Sequence, residues 1–338
     1  MATEVSPGIV SLATHLPAAR MTSAELADRT GLPEWVIRDK LGIHEKVVAG
    51  PDDHPHEIAV NAGRAALKRA ALDPGEIDLV ISITEEYKDY PLLTTGIALA
   101  GDLGLKNAWA FDVAQRCGTG VLALKLAKDI MRSDPRVRHA LIAGGYQNSD
   151  LINYQNPRVR FLYNLGAGAG AVVVSRDGPG HRILGSSVLT DGSFSRDVVA
   201  PRGGTKAQLG DWDRPFLDVP DPAGMKKRLE ARSMANFLHV VREALKESGA
   251  LDKQIGYLSL LHMKRSAHAA ILRALHLESS QSTYLENYGH LGQIDQILST
   301  ELAVREGRIH AGDYVVWVSA GIGYAWDAVV IRWGEASI

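Results

Sequence analysis

The amino-acid sequence predicts an α/β fold built from two duplicated halves that are rich in β-α-β units, residues 1–180 and 181–338. Continuous apolar runs such as IDLVISI and DYVVWVSA are typical of strands that helices cover on both faces of a sheet. Amphipathic stretches alternate with these runs, which predicts helices between the strands. Three segments of the first half also recur in the same order in the second half, and this recurrence indicates an internal duplication.

The first recurring segment predicts a helix, a short connector and a strand. It reads RAALKRAALDPGEIDLVISIT over residues 64–84 and REALKESGALDKQIGYLSLLH over residues 242–262. Sites in open α/β units form beyond the carboxyl ends of strands. The strand of the first copy leads into Glu85 and Glu86, and the strand of the second copy ends at His262. These three side chains are therefore candidates for a functional site.

The second recurring segment predicts a strand, a turn and a helix, AWAFDVAQRCGTGVLALKLAKDI in one half and STYLENYGHLGQIDQILSTELAV in the other. Superposing the two copies places Cys117 and His290 at equivalent helix starts. The third segment, GAGAGAVVV and GIGYAWDAVVI, predicts a glycine turn that leads into a strand. A pseudo-twofold arrangement would bring thiol, imidazole and carboxylate groups to one central cleft, and acyl-transfer chemistry uses these groups.

Cys117 is the single cysteine of the chain, so no internal disulfide is possible. A lone cysteine is commonly a packed hydrophobic residue. At a helix start, however, the free N–H groups and the helix dipole stabilise a thiolate. Gly118 and Gly120 are expected to leave room for a substrate to approach the backbone. We therefore predict that Cys117 is a catalytic nucleophile and that a thioester substrate acylates its sulfur.

The two histidines predict proton transfer and hydrogen bonding to a carbonyl. A neutral His262 could donate a hydrogen bond to a thioester carbonyl or take up a proton. At the predicted helix start, the dipole lowers the pKa of His290, and a neutral donor suits the enolate oxygen of a decarboxylation. The turn that contains Ile322 and Gly323 is predicted to form an oxyanion hole with the N–H of Cys117.

The overall composition argues against several other classes of protein. Net charge is −2, with 37 basic and 39 acidic residues, and no block of like charge indicates a nucleic acid or a membrane surface as partner. We expect no secretory signal and no membrane span, and hence a cytoplasmic enzyme. GAGAGA lacks the helix and acidic residue of a dinucleotide site. The loop with His54 and His56 is expected to be solvated, so we predict no metal or other cofactor.

Several motifs resemble the thiolase superfamily, and most closely its ketoacyl synthase III branch. FDVAQRCGTGVLAL resembles the family's nucleophile motif, and EWVIRDKLGIHEK resembles the segment that lines its coenzyme A channel. LGAGAGAVVV, TDGS and SAGIGYAWDAVVIRW fall where the family has similar glycine turns. The resemblance implies a thiolase-like five-layered αβαβα fold, a homodimer and ping-pong acyl transfer between thioesters.

The resemblance also implies a reaction. An acyl-CoA acylates Cys117, and a malonyl-type thioester, on coenzyme A or an acyl carrier protein, then decarboxylates and attacks the acyl-enzyme. The family's catalytic histidine corresponds to His262, and His290 replaces the family's usual asparagine. Elongating ketoacyl synthases also use a Cys-His-His set. We therefore predict a decarboxylative Claisen condensation in fatty acid or polyketide biosynthesis as the first choice of function.

The resemblance further implies a set of substrate-binding side chains: Trp35, Arg38, Lys40, Tyr90, Lys264 and Arg265. Trp35 corresponds to the residue that stacks on adenine. Arg38 and Lys40 compete for the phosphate-contacting role, because this stretch is one residue longer than in the family. Tyr90 falls where the dimer partner closes the acyl pocket, which predicts a short acyl chain. Lys264 and Arg265 stand where the family has amide side chains, and their positive charges suit an acidic substrate or carrier.

One motif points to other chemistry. TEEYKD resembles a Thr-Glu-x-x-x-Asp stretch of hydroxymethylglutaryl-CoA synthases, in which the glutamate is a general acid and base. Glu85 would then support condensation without decarboxylation, either as in hydroxymethylglutaryl-CoA formation or by head-to-head joining of acyl chains. Acyl transfer to an alcohol or amine is a further alternative. A non-catalytic subunit is a fourth, and the intact Cys117 and histidines argue against it.

Overall fold

Helices and strands alternate along the chain, of which the computed structural model describes residues 5–178, 180–211, 213–251 and 254–336. The strands are β1 (Gly8–His15), β2 (Arg20–Thr22), β3 (Glu45–Val47), β4 (Leu79–Ser82), β5 (Trp109–Asp112), β6 (His139–Tyr146), β7 (Gly168–Ser175), β8 (His181–Thr190), β9 (Tyr257–Leu260), β10 (Tyr314–Gly321) and β11 (Ala325–Arg332). The α-helices are α1 (Ser23–Thr30), α2 (Pro55–Ala70), α3 (Thr95–Asp102), α4 (Thr119–Ser133), α5 (Pro222–Glu247), α6 (Arg265–Ala274) and α7 (Asp295–Arg305). Within these ranges, no helix is long and apolar enough to cross a membrane.

The large sheet divides into two groups of strands. Its order is β5-β4-β6-β7-β1-β8-β11-β10-β9, while β2 and β3 form a separate small sheet. The first five strands of the large sheet lie between residues 8 and 175, and the last four lie between residues 181 and 332. A short antiparallel pairing of β1 with β8 joins the two groups. This strand order puts the boundary near residue 180 between two half-sheets.

The helices form three layers around the half-sheets. Helices α4 and α7 lie in the centre, where each contacts strands of both half-sheets. Helices α2 and α3 pack on the strands of the first half-sheet, and α5 packs on the second half-sheet with α6 beside it. The order of layers is therefore αβαβα, and the predicted fold class is confirmed. The starts of the two central helices, α4 and α7, consequently face the middle of the molecule.

The recurring segments fold alike, with one exception. Strands β4 and β9 follow equivalent helices and pair in parallel with β6 and β10, and β7 and β11 then return antiparallel to these. The prediction of a strand at the start of STYLENYGHLGQ was wrong, because residues 283–285 have no regular secondary structure. The backbone carbonyl of Glu286 accepts the N–H groups of His44 and Glu45. This segment thus anchors the loop before β3 and adds no strand to the sheet.

Buried polar contacts fix the position of the central helix α7. The Oγ1 atom of Thr300 accepts the indole N–H of Trp317 at 2.8 Å and lies 2.8 Å from Oγ of Ser259. Buried polar groups cost free energy unless they are paired. These bonds therefore specify how α7 packs on β9 and β10, and with it where its first residue, Asp295, lies.

Gly145 of β6 marks a close approach of α2 to the sheet. A methyl group at Gly145 would overlap the backbone carbonyl of Pro55, which cannot rotate away as a side chain can. We expect Gly145→Ala to lower the free energy of unfolding by about 3 kcal/mol, the scale of overpacking, in urea denaturation. Gly101→Ala in α3 is the matched control, because a Cβ there meets open space. Gly101→Ala should leave the free energy of unfolding unchanged or raise it slightly. An equal loss of free energy of unfolding in both variants would contradict the close approach at Gly145 as the cause.

Candidate active site

Cys117 lies in a short 3-10 turn, Arg116–Gly118, that runs directly into α4. The hydroxyl of Thr119 accepts the backbone N–H of Gln115 at 2.8 Å and donates to the carbonyl of the first residue of the turn at 2.6 Å. Ser319 of β10 donates to the carbonyl of Cys117 at 2.7 Å. These bonds hold the turn from both sides and place the thiol between the two half-sheets.

Gly118 and Gly120 do not leave the space for a substrate that the sequence suggested, because the protein itself fills that space. A Cβ on Gly118 would lie 2.5 Å from Oδ2 of Asp327, and a Cβ on Gly120 would overlap the carbonyl oxygen of Gln293. Gln293 belongs to the 3-10 turn Gly292–Ile294, which precedes α7. The two pseudo-equivalent turns therefore pack directly on each other, and glycine permits that approach.

The packing of the two turns brings His290 to Cys117. The Nε2 atom of His290 lies 3.0 Å from the Cys117 sulfur. On the other side of the ring, Nδ1 lies 2.6 Å from Oδ2 of Asp295. A carboxylate that orients an imidazole beside a nucleophile is the arrangement that activates serine and cysteine in acyl transfer. Sequence reasoning missed Asp295, although an acidic residue in the first turn of a buried helix was an available signal.

Asp295 is fully buried and binds three donors. Besides the imidazole of His290, its Oδ2 accepts the backbone N–H of His262 at 2.6 Å, and its Oδ1 accepts the backbone N–H of Leu291 at 2.7 Å. A buried carboxylate is costly unless such partners satisfy it. One carboxylate therefore connects both of the predicted histidines and fixes their backbones relative to α7.

The charge state of His290 differs from the prediction of a neutral ring at a helix start. His290 lies instead in extended backbone ahead of the turn before α7, where it pairs with Leu165 in an isolated bridge. Burial disfavours the charged imidazole, but the charges of Asp295 and Cys117 and the hydrogen bonds to both outweigh burial and raise the pKa of His290 well above its usual value. At neutral pH, His290 is therefore an imidazolium that can pair with a Cys117 thiolate.

His262 lies just beyond β9, and both of its ring nitrogens bind the protein. The amide nitrogen of Asn164 donates to Nδ1 at 2.9 Å and also lies 3.3 Å from the His262 carbonyl, which can only accept. The Nε2 atom therefore carries the proton, and it donates to the carbonyl of Gly42 at 3.1 Å. Burial lowers the pKa of His262 to about 4. His262 is thus neutral, and its N–H is engaged by Gly42.

Two residues that sequence reasoning missed, Asn164 and Lys46, support the histidines. The carbonyl of Asn164 accepts the backbone N–H of His290 at 2.8 Å, so Asn164 contacts both histidines. The buried Nζ atom of Lys46 donates to the carbonyls on either side of Asn164, at 2.8 and 2.7 Å, and to a tyrosine hydroxyl. Burial lowers the pKa of Lys46 to about 7. A lysine in a short strand carries no signal of this role, because such residues are usually exposed.

Of the two candidate glutamates, the structure brings Glu85 into the site. Glu85 is 6% exposed. Burial raises the pKa of its carboxyl, although the positive charges of Arg116 and His290 and a hydrogen bond from Asn148 oppose that rise. Its Oε1 atom is buried without a hydrogen-bond partner among the described residues. Glu86 instead lies at the surface and forms an ion pair with Arg116.

The segments predicted to bind coenzyme A lie together on the surface. Trp35 is 53% exposed and precedes a π-helical turn, Val36–Leu41. A π-helix closes through i→i+5 hydrogen bonds and so accommodates an extra residue, which accounts for the longer stretch in the sequence. Helix α6 packs against this turn. Four exposed cations flank this contact: Arg38, Lys40, Lys264 and Arg265.

The predicted oxyanion turn follows β10 and passes beside the nucleophile. A Cβ on Gly321 would lie 3.3 Å from the backbone nitrogen of Cys117. Ile322 and Gly323 come next, and Gly323 has a φ of +112°, a conformation that favours glycine. Their role as an oxyanion hole stays a prediction. Tyr90 is 71% exposed and lies on the surface of the chain, outside the group around Cys117.

Both halves of this site fall within matches to family models. The model described as 3-oxoacyl-[acyl-carrier-protein (ACP)] synthase III matches residues 111–192, which contain Cys117. The model of the C-terminal part of the same family matches residues 245–333, which contain His262, His290 and Asp295.

Solved structures share the fold over nearly the whole chain. A 3-oxoacyl-[acyl-carrier-protein] synthase III from Aquifex aeolicus superposes with a TM-score of 0.83 and 22% identity, covering 97% of this chain and 100% of that one. An OleA variant from Xanthomonas campestris superposes with a TM-score of 0.80 and 19% identity, covering 97% of this chain and 96% of that one. A priming β-ketosynthase from a polyketide pathway superposes with a TM-score of 0.82 and 22% identity, covering 100% of this chain and 99% of that one. At these identities the likeness shows the fold alone.

Asp295→Asn should reduce the reactivity of Cys117. Asparagine removes the charge that raises the pKa of His290, so burial then favours the neutral imidazole, which no longer offers a positive charge to the sulfur of Cys117. We expect alkylation of Cys117 by iodoacetamide at pH 7, followed by mass spectrometry, to slow by roughly tenfold or more. Asp177→Asn, in an exposed position, should retain the wild-type profile. Unchanged alkylation in the Asp295 variant would rule out its role.

Proposed function

We propose that this chain, which belongs to the 3-oxoacyl-[acyl-carrier-protein] synthase III family of condensing enzymes in the thiolase superfamily, is an acyltransferase that works through an acyl-Cys117 intermediate. It takes the acyl group from a coenzyme A thioester and passes it to a hydroxyl or amine acceptor. One observation carries the proposal. The sulfur of Cys117, the imidazole of His290 and the carboxylate of Asp295 form a continuous series of contacts at 3.0 and 2.6 Å.

In the first half-reaction, the Cys117 thiolate attacks the thioester carbonyl, and the C–S bond to coenzyme A breaks. The imidazolium of His290 protonates the departing sulfur through Nε2. Asp295 holds the proton on Nδ1 and stabilises the charged ring until that transfer. The backbone N–H groups of Cys117, Ile322 and Gly323 bind the oxyanion of the tetrahedral intermediate.

In the second half-reaction, the neutral His290 takes the proton of the acceptor hydroxyl or amine. The acceptor oxygen or nitrogen attacks the acyl carbonyl, and Cys117 leaves as a thiolate. The imidazolium and thiolate pair is thereby restored. One group that donates a proton in the first step and accepts a proton in the second is sufficient for both steps. His290, held between Cys117 and Asp295, is that group.

The surface beside the π-helical turn supports coenzyme A as the acyl carrier. The exposed ring of Trp35 offers a face for stacking on adenine. Arg38 and Lys40 on the turn, and Lys264 and Arg265 at the start of α6, offer cations for the phosphate groups. Arg38 is held by Asp39 at 3.0 Å, which leaves Lys40 as the cation of the turn better placed to contact a phosphate.

Decarboxylative condensation with a malonyl-type thioester is the second candidate. The family and the two imidazoles of the site favour it. The geometry favours it less, because a decarboxylating site needs neutral N–H donors for the enolate oxygen. In the acyl-enzyme, the neutral His290 keeps its proton on Nδ1 beside Asp295, so Nε2 can only accept, and the N–H of His262 is engaged by Gly42. Condensation without decarboxylation would need Glu85 as a base, and its raised pKa favours the protonated acid.

Intact-mass spectrometry of the protein incubated with a panel of acyl-CoAs tests the proposal. We expect an acyl adduct on the wild type and none on Cys117→Ala. With His290→Ala, adduct formation should slow by roughly 100-fold or more, since proton transfer is lost. Hydroxyl and amine acceptors should then discharge the adduct. Absence of an adduct with every acyl-CoA would exclude the proposal. Carbon dioxide release from malonyl-CoA, coupled to loss of the adduct, would instead establish condensation.

We also propose that the chain forms a homodimer through the edge strand β5. Trp109 of β5 is 49% exposed, and nearby Ile97 and Leu92 are 61% and 99% exposed. Large apolar side chains at an exposed sheet edge indicate an interaction surface. Tyr90 lies in the exposed loop between β4 and α3, where it would reach the partner subunit. Its predicted effect on acyl chain length belongs with this proposal.

Trp109→Glu should shift the protein from dimer to monomer in sedimentation equilibrium. A charge at this position would be desolvated without a partner in the dimer. Leu209→Glu, at another exposed apolar side chain, is the control and should stay dimeric. A wild-type chain that sediments as a monomer at micromolar concentration would contradict the proposal.

A further inference from the structure

A cleft lies at the carboxyl ends of β4 and β5, near the segment that leads to the nucleophile. Its volume is about 260 Å³. Its charged lining residues are Glu85, Glu86, Lys88 and Asp112, and Ala114 lines it from the segment that leads to Cys117. An acyl group on Cys117 must extend into space next to the sulfur, and this cleft reaches Ala114, three residues before Cys117. Most of its lining surface is apolar, so the few polar groups in it decide which substituents it accepts.

Most of the charged groups in the cleft already have partners. Lys88 lies 3.2 Å from Asp112, and Asp112 also accepts the N–H groups of the first two residues of α3 at 3.0 and 2.7 Å. Glu86 pairs with Arg116, whose left-handed backbone (φ 57°) is a conformation that non-glycine residues adopt at a cost. Arg116 directly precedes Cys117, so the nucleophile turn itself places a guanidinium at the edge of the cleft.

Glu85 differs from these neighbours. It is 94% buried, it lines the cleft, and its Oε1 atom has no hydrogen-bond partner among the described residues. The charge of His290, whose Nε2 lies 3.0 Å from the Cys117 sulfur, acts on the Glu85 carboxyl. Burial raises the pKa of the Glu85 carboxyl, so the protonated acid can donate a hydrogen bond. Asn148 bonds the carboxyl, but Oε1 has no partner among the described residues, so a ligand can supply one.

We propose that Glu85 is a specificity-determining residue, and that the acyl group it selects is short and carries an acceptor oxygen, as a keto, hydroxyl or carboxylate substituent. The assignment rests on the proposed acylation of Cys117. An oxygen-bearing acyl group satisfies Glu85, and a carboxylate also gains from the nearby Arg116. An alkyl group of equal length fills the same space but leaves Oε1 of Glu85 without a hydrogen bond. A site built to bond an oxygen rejects the analogue that lacks it.

Competitive loading of Cys117, followed by intact mass at short times, tests this assignment. The probes are butyryl-CoA, acetoacetyl-CoA, 3-hydroxybutyryl-CoA and malonyl-CoA. We expect at least one oxygen-bearing probe to load roughly tenfold or more faster than butyryl-CoA. Glu85→Gln should keep much of that preference, because an amide also donates. Glu85→Leu should abolish the preference or reverse it. Each ratio is measured within one protein, so it does not depend on how much of a variant is folded.

The outcomes separate this assignment from the proposed function. Equal loading of all four probes by the wild type, or an unchanged ratio in Glu85→Leu, would overturn the role of Glu85 while leaving acylation of Cys117 intact. A preference that appears only when the adduct is discharged would assign the cleft to the acceptor and would also overturn it. Absence of loading by all probes, and by longer acyl-CoAs, would overturn the proposed function itself.

Discussion

The buried carboxylate of Asp295 is the interaction on which the site depends. It lies at the first residue of a helix that is enclosed between two half-sheets, where water cannot satisfy its charge. Three donors converge on it, one from each histidine segment and one from Leu291. The cost of an unpaired charge in this position holds all three in place. The same charge keeps His290 protonated next to the Cys117 sulfur.

The glycines around the nucleophile serve the packing of the two halves. Gly118 and Gly120 permit the turn of one half to lie against Asp327 and against Gln293 of the other half. The sulfur and the imidazole therefore come from equivalent regions of a duplicated chain and meet at 3.0 Å. Neither half contains both groups. The five-layered arrangement has a direct consequence for chemistry, because it brings the starts of the two central helices face to face.

Divergence of the two halves has separated their tasks. The first half contributes the nucleophile, the glutamate-lined cleft and the exposed edge strand β5. The second half contributes the base, its carboxylate and a neutral His262 that Asn164 and Gly42 hold in one orientation. Lys46 donates hydrogen bonds to the carbonyls on either side of Asn164 and so holds that segment in place. The imidazole of His262 thus has a fixed place in the architecture, and we propose that the proton transfers fall to His290.

The amino-acid sequence determined the fold class, and it predicted the duplication and the nucleophile. Apolar runs, helical periodicity and recurring segments are local patterns that the chain carries wherever it folds, so the layers and the place of Cys117 could be predicted. It did not reveal Asp295, Asn164 or Lys46, and it assigned His290 a neutral ring. Those properties depend on partners that are distant in the chain and on burial. Only the tertiary structure encloses a carboxylate beside an imidazole, and the contact of Asp295 with the ring of His290 decides which of the two buried histidines is charged.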